Sequence, residues 1–169
     1  MEPIFTDPDL PRYTQTPFPA YRYLPFQSGR PHPRNDPAGH SYGLAEDYLP
    51  SFSGDDWRSC QPYRYGIDLF NHGYWWEAHE ALEQVWLAAG QDTPGGTFIQ
   101  GLIQLAAAQL KRFMGQERGA KLLTASGVAK LSLAKGVFLG IEVAPLCAAA
   151  ERCLREDCGE FPRIRLIFQ

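Results

Sequence analysis

The chain has 169 residues, a net charge of −3, 21% charged residues and 13% aromatic residues, which suits one domain with a sizeable core. It shows no basic stripe of the kind that marks a nucleic-acid binder. No run approaches the roughly 20 apolar residues of a membrane span.

The opening residues Met1–Asp7 have neither a basic start nor an apolar core, so no secretory leader is expected and a cytoplasmic location is. Eleven of the fourteen prolines occur by Pro62. Proline fixes φ and removes a donor, which disfavours helices and central strands there. Residues 1–58 are also rich in rings, including Tyr13, Phe18, Tyr21, Tyr23, Phe26, Tyr42, Tyr48, Phe52 and Trp57. Disordered segments are aromatic-poor, so this stretch reads as an extended arm that wraps a helical body.

From residue 59 the signals turn helical. Pro62 suits a helix start, and Tyr63–Phe70 reads as a short first helix stopped by Asn71-His72-Gly73. A second helix is expected over Tyr74–Ala89, ended by Gly90 and a Thr93-Pro94-Gly95-Gly96 turn. Thr97 then caps a third, Phe98–Met114, apolar nearly all round and therefore central. A fourth spans Glu117–Ala134. A fifth runs from Glu142 to Asp157 with Pro145 in its first turn. The tail, residues 159–169, alternates charged and apolar residues over Pro162–Phe168 and reads as an extended edge segment. The expected fold is an all-α, single-domain bundle of about five helices over residues 59–158.

The second helix carries the unusual chemistry. Residues 70–86 hold three of the four tryptophans and two of the four histidines. His79, Glu83 and Trp86 are spaced to share one helical face, with Glu80 on its shoulder. An imidazole and a carboxylate at i and i+4 can ligate one divalent ion such as zinc. The stretch His79-Glu80-Ala81-Leu82-Glu83 is a cousin of the H-E-x-x-H metal motif, not a match to it. Two ligands make a weak site, so further ones are sought at His32, His40 and His72. Glu80 is a candidate third ligand or general base. Trp75, Trp86 and Gln104 are candidate pocket walls. The plainer alternative is a His79–Glu83 pair that holds the helix in place, with Trp86 in the core and His32 and His40 locking their loops. The cysteines Cys60, Cys147, Cys153 and Cys158 form no C-x-x-C pair and read as reduced thiols.

The block Leu69–Trp86, followed by Gln100-Gly101-Leu102-Ile103-Gln104-Leu105-Ala106-Ala107-Ala108, resembles the prokaryotic family called domain of unknown function 309. Its H-x-x-x-E-x-x-W hallmark is met by His79, Glu83 and Trp86. Gly119–Leu123, Gly140–Val143 and the arm's Tyr21–Pro25, Pro31-His32-Pro33 and Gly39–Tyr42 also resemble it. The resemblance implies an all-helical fold and a metal-binding motif, and no particular reaction. Lys111-Arg112 stands where the family often has a histidine. Gly73-Tyr74-Trp75-Trp76-Glu77-Ala78 is also similar to a tetratricopeptide turn, but no third copy appears. The leading expectation is a divalent-metal site, extending to a metal-dependent hydrolase. The alternative is a non-enzymatic interaction module. The partner is a small molecule or a protein, and an arm of this kind could also clasp a second copy.

Overall fold

The computed structural model describes residues 9–26, 29–45, 49–155 and 160–168. Pro3, Pro8, Tyr48, Cys158 and the expected end of the last helix at Asp157 lie outside them. Five helices carry the described fold: α1 (Gln61–Asn71), α2 (Trp75–Ala89), α3 (Pro94–Phe113), α4 (Glu117–Leu131) and α5 (Val143–Arg155). Among the described residues no helix is long and apolar enough to cross a membrane.

Local chemistry explains the helix ends. Pro62 sits in the first turn of α1, where a missing N–H costs nothing. At its other end Gly73, at φ +77°, lets its own N–H reach Phe70 O and lets Tyr74 N reach Leu69 O. This is the two-bond closure of a Schellman motif. The start of α3 differs from expectation. Its cap is Thr93, whose Oγ1 accepts from Gly96 N at 2.9 Å, with Pro94 as the first helical residue. The stretch expected to be a turn is thus the helix's opening turn, because Thr-Pro is itself an N-terminal signal. Helix α4 stops at Leu131 rather than Ala134.

A short hairpin, β1 (Val137–Phe138) and β2 (Ile141–Glu142), joins α4 to α5 and was not expected from the sequence. Both turn residues have positive φ, Leu139 at 47° and Gly140 at 76°, as a type I′ turn requires. Gly140 has a second reason to be glycine: a Cβ there would lie 2.4 Å from the Trp57 ring. The tail meets this hairpin through an Ile141–Leu166 bridge and an Ile167 N to Gly140 O bond.

Helix α3 packs against both α2 and α4, which accounts for its apolar circumference. The core gathers Tyr63, Ile67, Phe70, Trp75, Leu82, Phe98, Leu102 and Leu131. Two buried polar residues of α1 fasten the flanking segments. Asp68 accepts from Tyr13 N (2.7 Å), Thr14 N (2.9 Å) and Thr14 Oγ1 (2.7 Å), and Arg12 Nε lies 3.2 Å away. Asn71 pairs with the Ile164 backbone at both its N–H and its C=O, each at 2.7 Å. Tyr13 Oη in turn accepts from Leu166 N at 2.9 Å, so the segments before and after the helices touch.

Candidate functional site

Helix α2 presents chemistry on two flanks of its buried stripe of Trp75, Ala78, Leu82 and Val85. At about 100° per residue, His79, Glu83 and Trp86 fall on one flank. Glu77, Ala81 and Gln84 fall on the other, with Glu80 at the shoulder.

On the first flank His79 Nε2 lies 3.2 Å from Glu83 Oε1, and His79 Nδ1 lies 3.6 Å from Glu80 Oε1. The three side chains are half-buried, and one donor atom from each can be chosen so that all lie within 4.8 Å of one another. Glu80 also has its second oxygen 2.6 Å from Arg34 Nε. Trp86 is half-buried against the core, as Gln104 is half-buried on α3. Trp75 is 1% exposed and packs on Phe161 at 4.6 Å, so it belongs to the interior and not to an open wall.

The other histidines do not join this cluster; among the described residues it is His79, Glu80 and Glu83 alone. His32 Nδ1 accepts from Arg34 N and Asn35 N, both at 3.2 Å. Its ring meets Tyr23 and Trp76 edge-on. His72 packs on Phe18 at 4.9 Å, and burial, followed by the Arg12 charge, pushes its pKa down. Among the described residues no cysteine joins the cluster, and burial pushes the Cys60 and Cys147 thiols up, away from the thiolate a metal needs.

His40 goes to the second flank. Its Nε2 lies 3.1 Å from Glu77 Oε1, which also accepts from Tyr23 N at 2.9 Å. Both side chains are nearly closed off, at 9% and 5% exposure. On the other side of the ring, Nδ1 is 2.8 Å from Ser41 Oγ. The loop is fixed by bonds from Ser41 N to Pro33 O and from Gly39 N to Asp36 O. A Cβ on Gly39 would come within 2.3 Å of the His32 and Pro33 carbonyl oxygens, so the close turn demands glycine. Tyr21 holds His40 from behind, its ring 4.6 Å away and its Oη accepting from His40 N.

His40, Ser41 and Glu77 line a cleft of about 490 Å³ between the arm and α2, and with Arg34 and Glu80 they give it a charged and polar wall. Phe18, Leu44, Leu69 and Ala81 form its apolar wall. Tyr65 lines it too, donating its hydroxyl to Pro17 O. Burial pushes its phenol up to about 12, which keeps it a donor. Arg34, Ser41, Tyr65 and Glu77 carry no role in the sequence reading. Glu77, Ala81 and Gln84 do share one helical stripe at i, i+4 and i+7, but a lone carboxylate there looks like any solvated face.

The model of the family described as Domain of unknown function (DUF309) matches residues 63–123. That segment contains His79, Glu80, Glu83, Trp86 and Gln104, and it leaves out the arm residues Arg34, His40 and Ser41. No curated protein matches the chain.

Proposed function

We propose that this chain, which carries a domain of unknown function of the DUF309 family over residues 63–123, binds a divalent metal ion of the zinc class through His79, Glu83 and Glu80. The observation that carries the reading is the close approach of three donor atoms, all within 4.8 Å, on a half-exposed helix face. Ligands on one tetrahedral ion stand about 3.4 Å apart for bonds of about 2.1 Å. The widest separation in the set therefore has to close by about 1.4 Å, within reach of side-chain rotation by a half-exposed histidine and two glutamates. One imidazole nitrogen and two carboxylate oxygens are a donor set that zinc accepts.

Three protein ligands leave a coordination position for water, the arrangement a metal-dependent hydrolase needs. A bound ion would supply Lewis acidity and a water of lowered pKa. Glu80 serves as ligand in this reading, since Arg34 already occupies its other oxygen. Arg34 thereby ties the ligand to the arm.

Titration calorimetry with zinc on tag-free protein tests the site. One ion per chain is expected, lost in His79→Ala and in Glu83→Gln; unchanged stoichiometry in both variants overturns the proposal. The direct 3.2 Å contact between His79 and Glu83 favours a second reading, in which the pair is architecture within an interaction module. That reading predicts that His79→Ala lowers the melting temperature equally with and without a chelator.

A further inference from the structure

We propose that Ser41, His40 and Glu77 form a second, metal-independent site, in which Ser41 is the nucleophile of an acyl-transfer reaction on small esters. The site shares the cleft with Glu80 and Arg34 but uses none of the three side chains of the metal cluster. It stands on its own geometry, and its test does not depend on the metal.

A nucleophile of this kind needs a base within hydrogen-bond reach, and the base needs a third group to orient it. Ser41 Oγ is 2.8 Å from His40 Nδ1, and His40 Nε2 is 3.1 Å from Glu77 Oε1. The tautomer follows from the partners. Glu77 Oε1 already accepts the Tyr23 N–H, so it is an acceptor toward His40 as well and places the ring proton on Nε2. His40 Nδ1 is then left with its lone pair toward the Ser41 hydroxyl. Tyr21 and the tight turn at Gly39 hold the ring in that orientation. Glu77 Oε2 is buried and has no protein hydrogen-bond partner among the described residues. The cleft volume of about 490 Å³ falls in the range of small-ligand sites. Its Phe18, Leu44, Leu69 and Ala81 wall suits an apolar acyl chain.

The step balances within the chain, the ester and water. Ser41 Oγ bonds to the acyl carbon as its proton passes to His40 Nδ1. The bond from the acyl carbon to the leaving oxygen breaks, and that oxygen takes the proton from His40. Water, deprotonated by His40, then cleaves the acyl-Ser41 ester and restores the hydroxyl. Glu77 acts only as a positioning residue.

The test is labelling of the full-length protein with a dialkyl fluorophosphonate, read by peptide mass spectrometry, in the presence and absence of a chelator. An adduct on Ser41 is expected, insensitive to the chelator, absent in Ser41→Ala and formed about 10²-fold or more slowly in His40→Ala. Ser41→Ala keeps the His40–Glu77 contact, so its fold is secure even where His40→Ala melts early. Proton–nitrogen NMR is expected to show His40 as the Nε2–H tautomer, a preference lost in Glu77→Gln while the protein stays folded. No Ser41 adduct in the parent, a chelator-dependent adduct, or an Nδ1–H tautomer each overturns the proposal. Failure here leaves calorimetry at His79 unaffected, and the reverse holds too.

Discussion

Replacing Asp68 by asparagine tests how the segment before the helices is held. The Asp68 side chain is fully buried, and its two oxygens take three hydrogen bonds and face the Arg12 guanidinium. Asparagine keeps the shape and one acceptor oxygen. Its amide group, however, turns two donor hydrogens toward Tyr13 N or toward Thr14 N, both of which are donors, and Thr14 Oγ1 would have to switch from donor to acceptor. Each charge-assisted bond is worth about 1.5–3 kcal/mol, and breaking a buried charged set costs about 3–5 kcal/mol. With part of the set retained, a loss of about 3 kcal/mol is the working value. For a chain of this size that lowers the melting temperature by about 6–12 °C. Thermal melting followed by circular dichroism measures it. Limited proteolysis should show new cleavage between Arg12 and Arg22 before any within α1–α4. A fall of less than about 2 °C, or unchanged cleavage, would refute the reasoning, because it would mean that the arm is held elsewhere.

Gly140→Ala should cost about 2–4 kcal/mol, from a positive φ imposed on alanine and a Cβ driven into the Trp57 ring; a melting temperature within error of the parent would contradict the type I′ assignment. His72 makes stability depend on pH. Burial holds its folded pKa below the unfolded value of about 6.5, so between the two the unfolded chain binds more protons. Its contribution is complete above about pH 6.5 and is lost as the pH falls below it toward the folded pKa. His72→Phe, which keeps a ring against Phe18, should reduce the stability difference measured by urea denaturation between about pH 7.5 and pH 5.5; an undiminished difference would place the titrating group elsewhere.

What could be read from the sequence was what depends on near neighbours. The helices announce themselves through Pro62, Gly73, Gly90 and Gly115, since breakers and caps act within a turn. The His79–Glu83 contact follows from a spacing of four. The start of α3 was misplaced by one turn because Thr93-Pro94-Gly95-Gly96 satisfies two local rules, turn and cap, and only the packed body chooses between them. The hairpin at 137–142 is too short to leave a periodicity. Asp68, Asn71 and Glu77 were invisible as anchors because their partners stand 54, 93 and 37 residues away. Nothing local distinguishes a carboxylate that faces water from one that receives a distant loop. The cleft is therefore the least legible part of the molecule, one wall coming from the arm and the other from α2.

The bond from Leu166 N to Tyr13 Oη joins residues 153 positions apart. Closing a ring of that length costs about 4.5 kcal/mol of chain entropy, which a hydrogen bond and the neighbouring Tyr13–Phe168 ring contact cannot offset before the helices between them are docked. This seam should thus zip last during folding and open first in native-state fluctuations. Amide hydrogen exchange at Leu166 would then report an unlatching of the whole girdle around α1, at a free energy well below that of global unfolding.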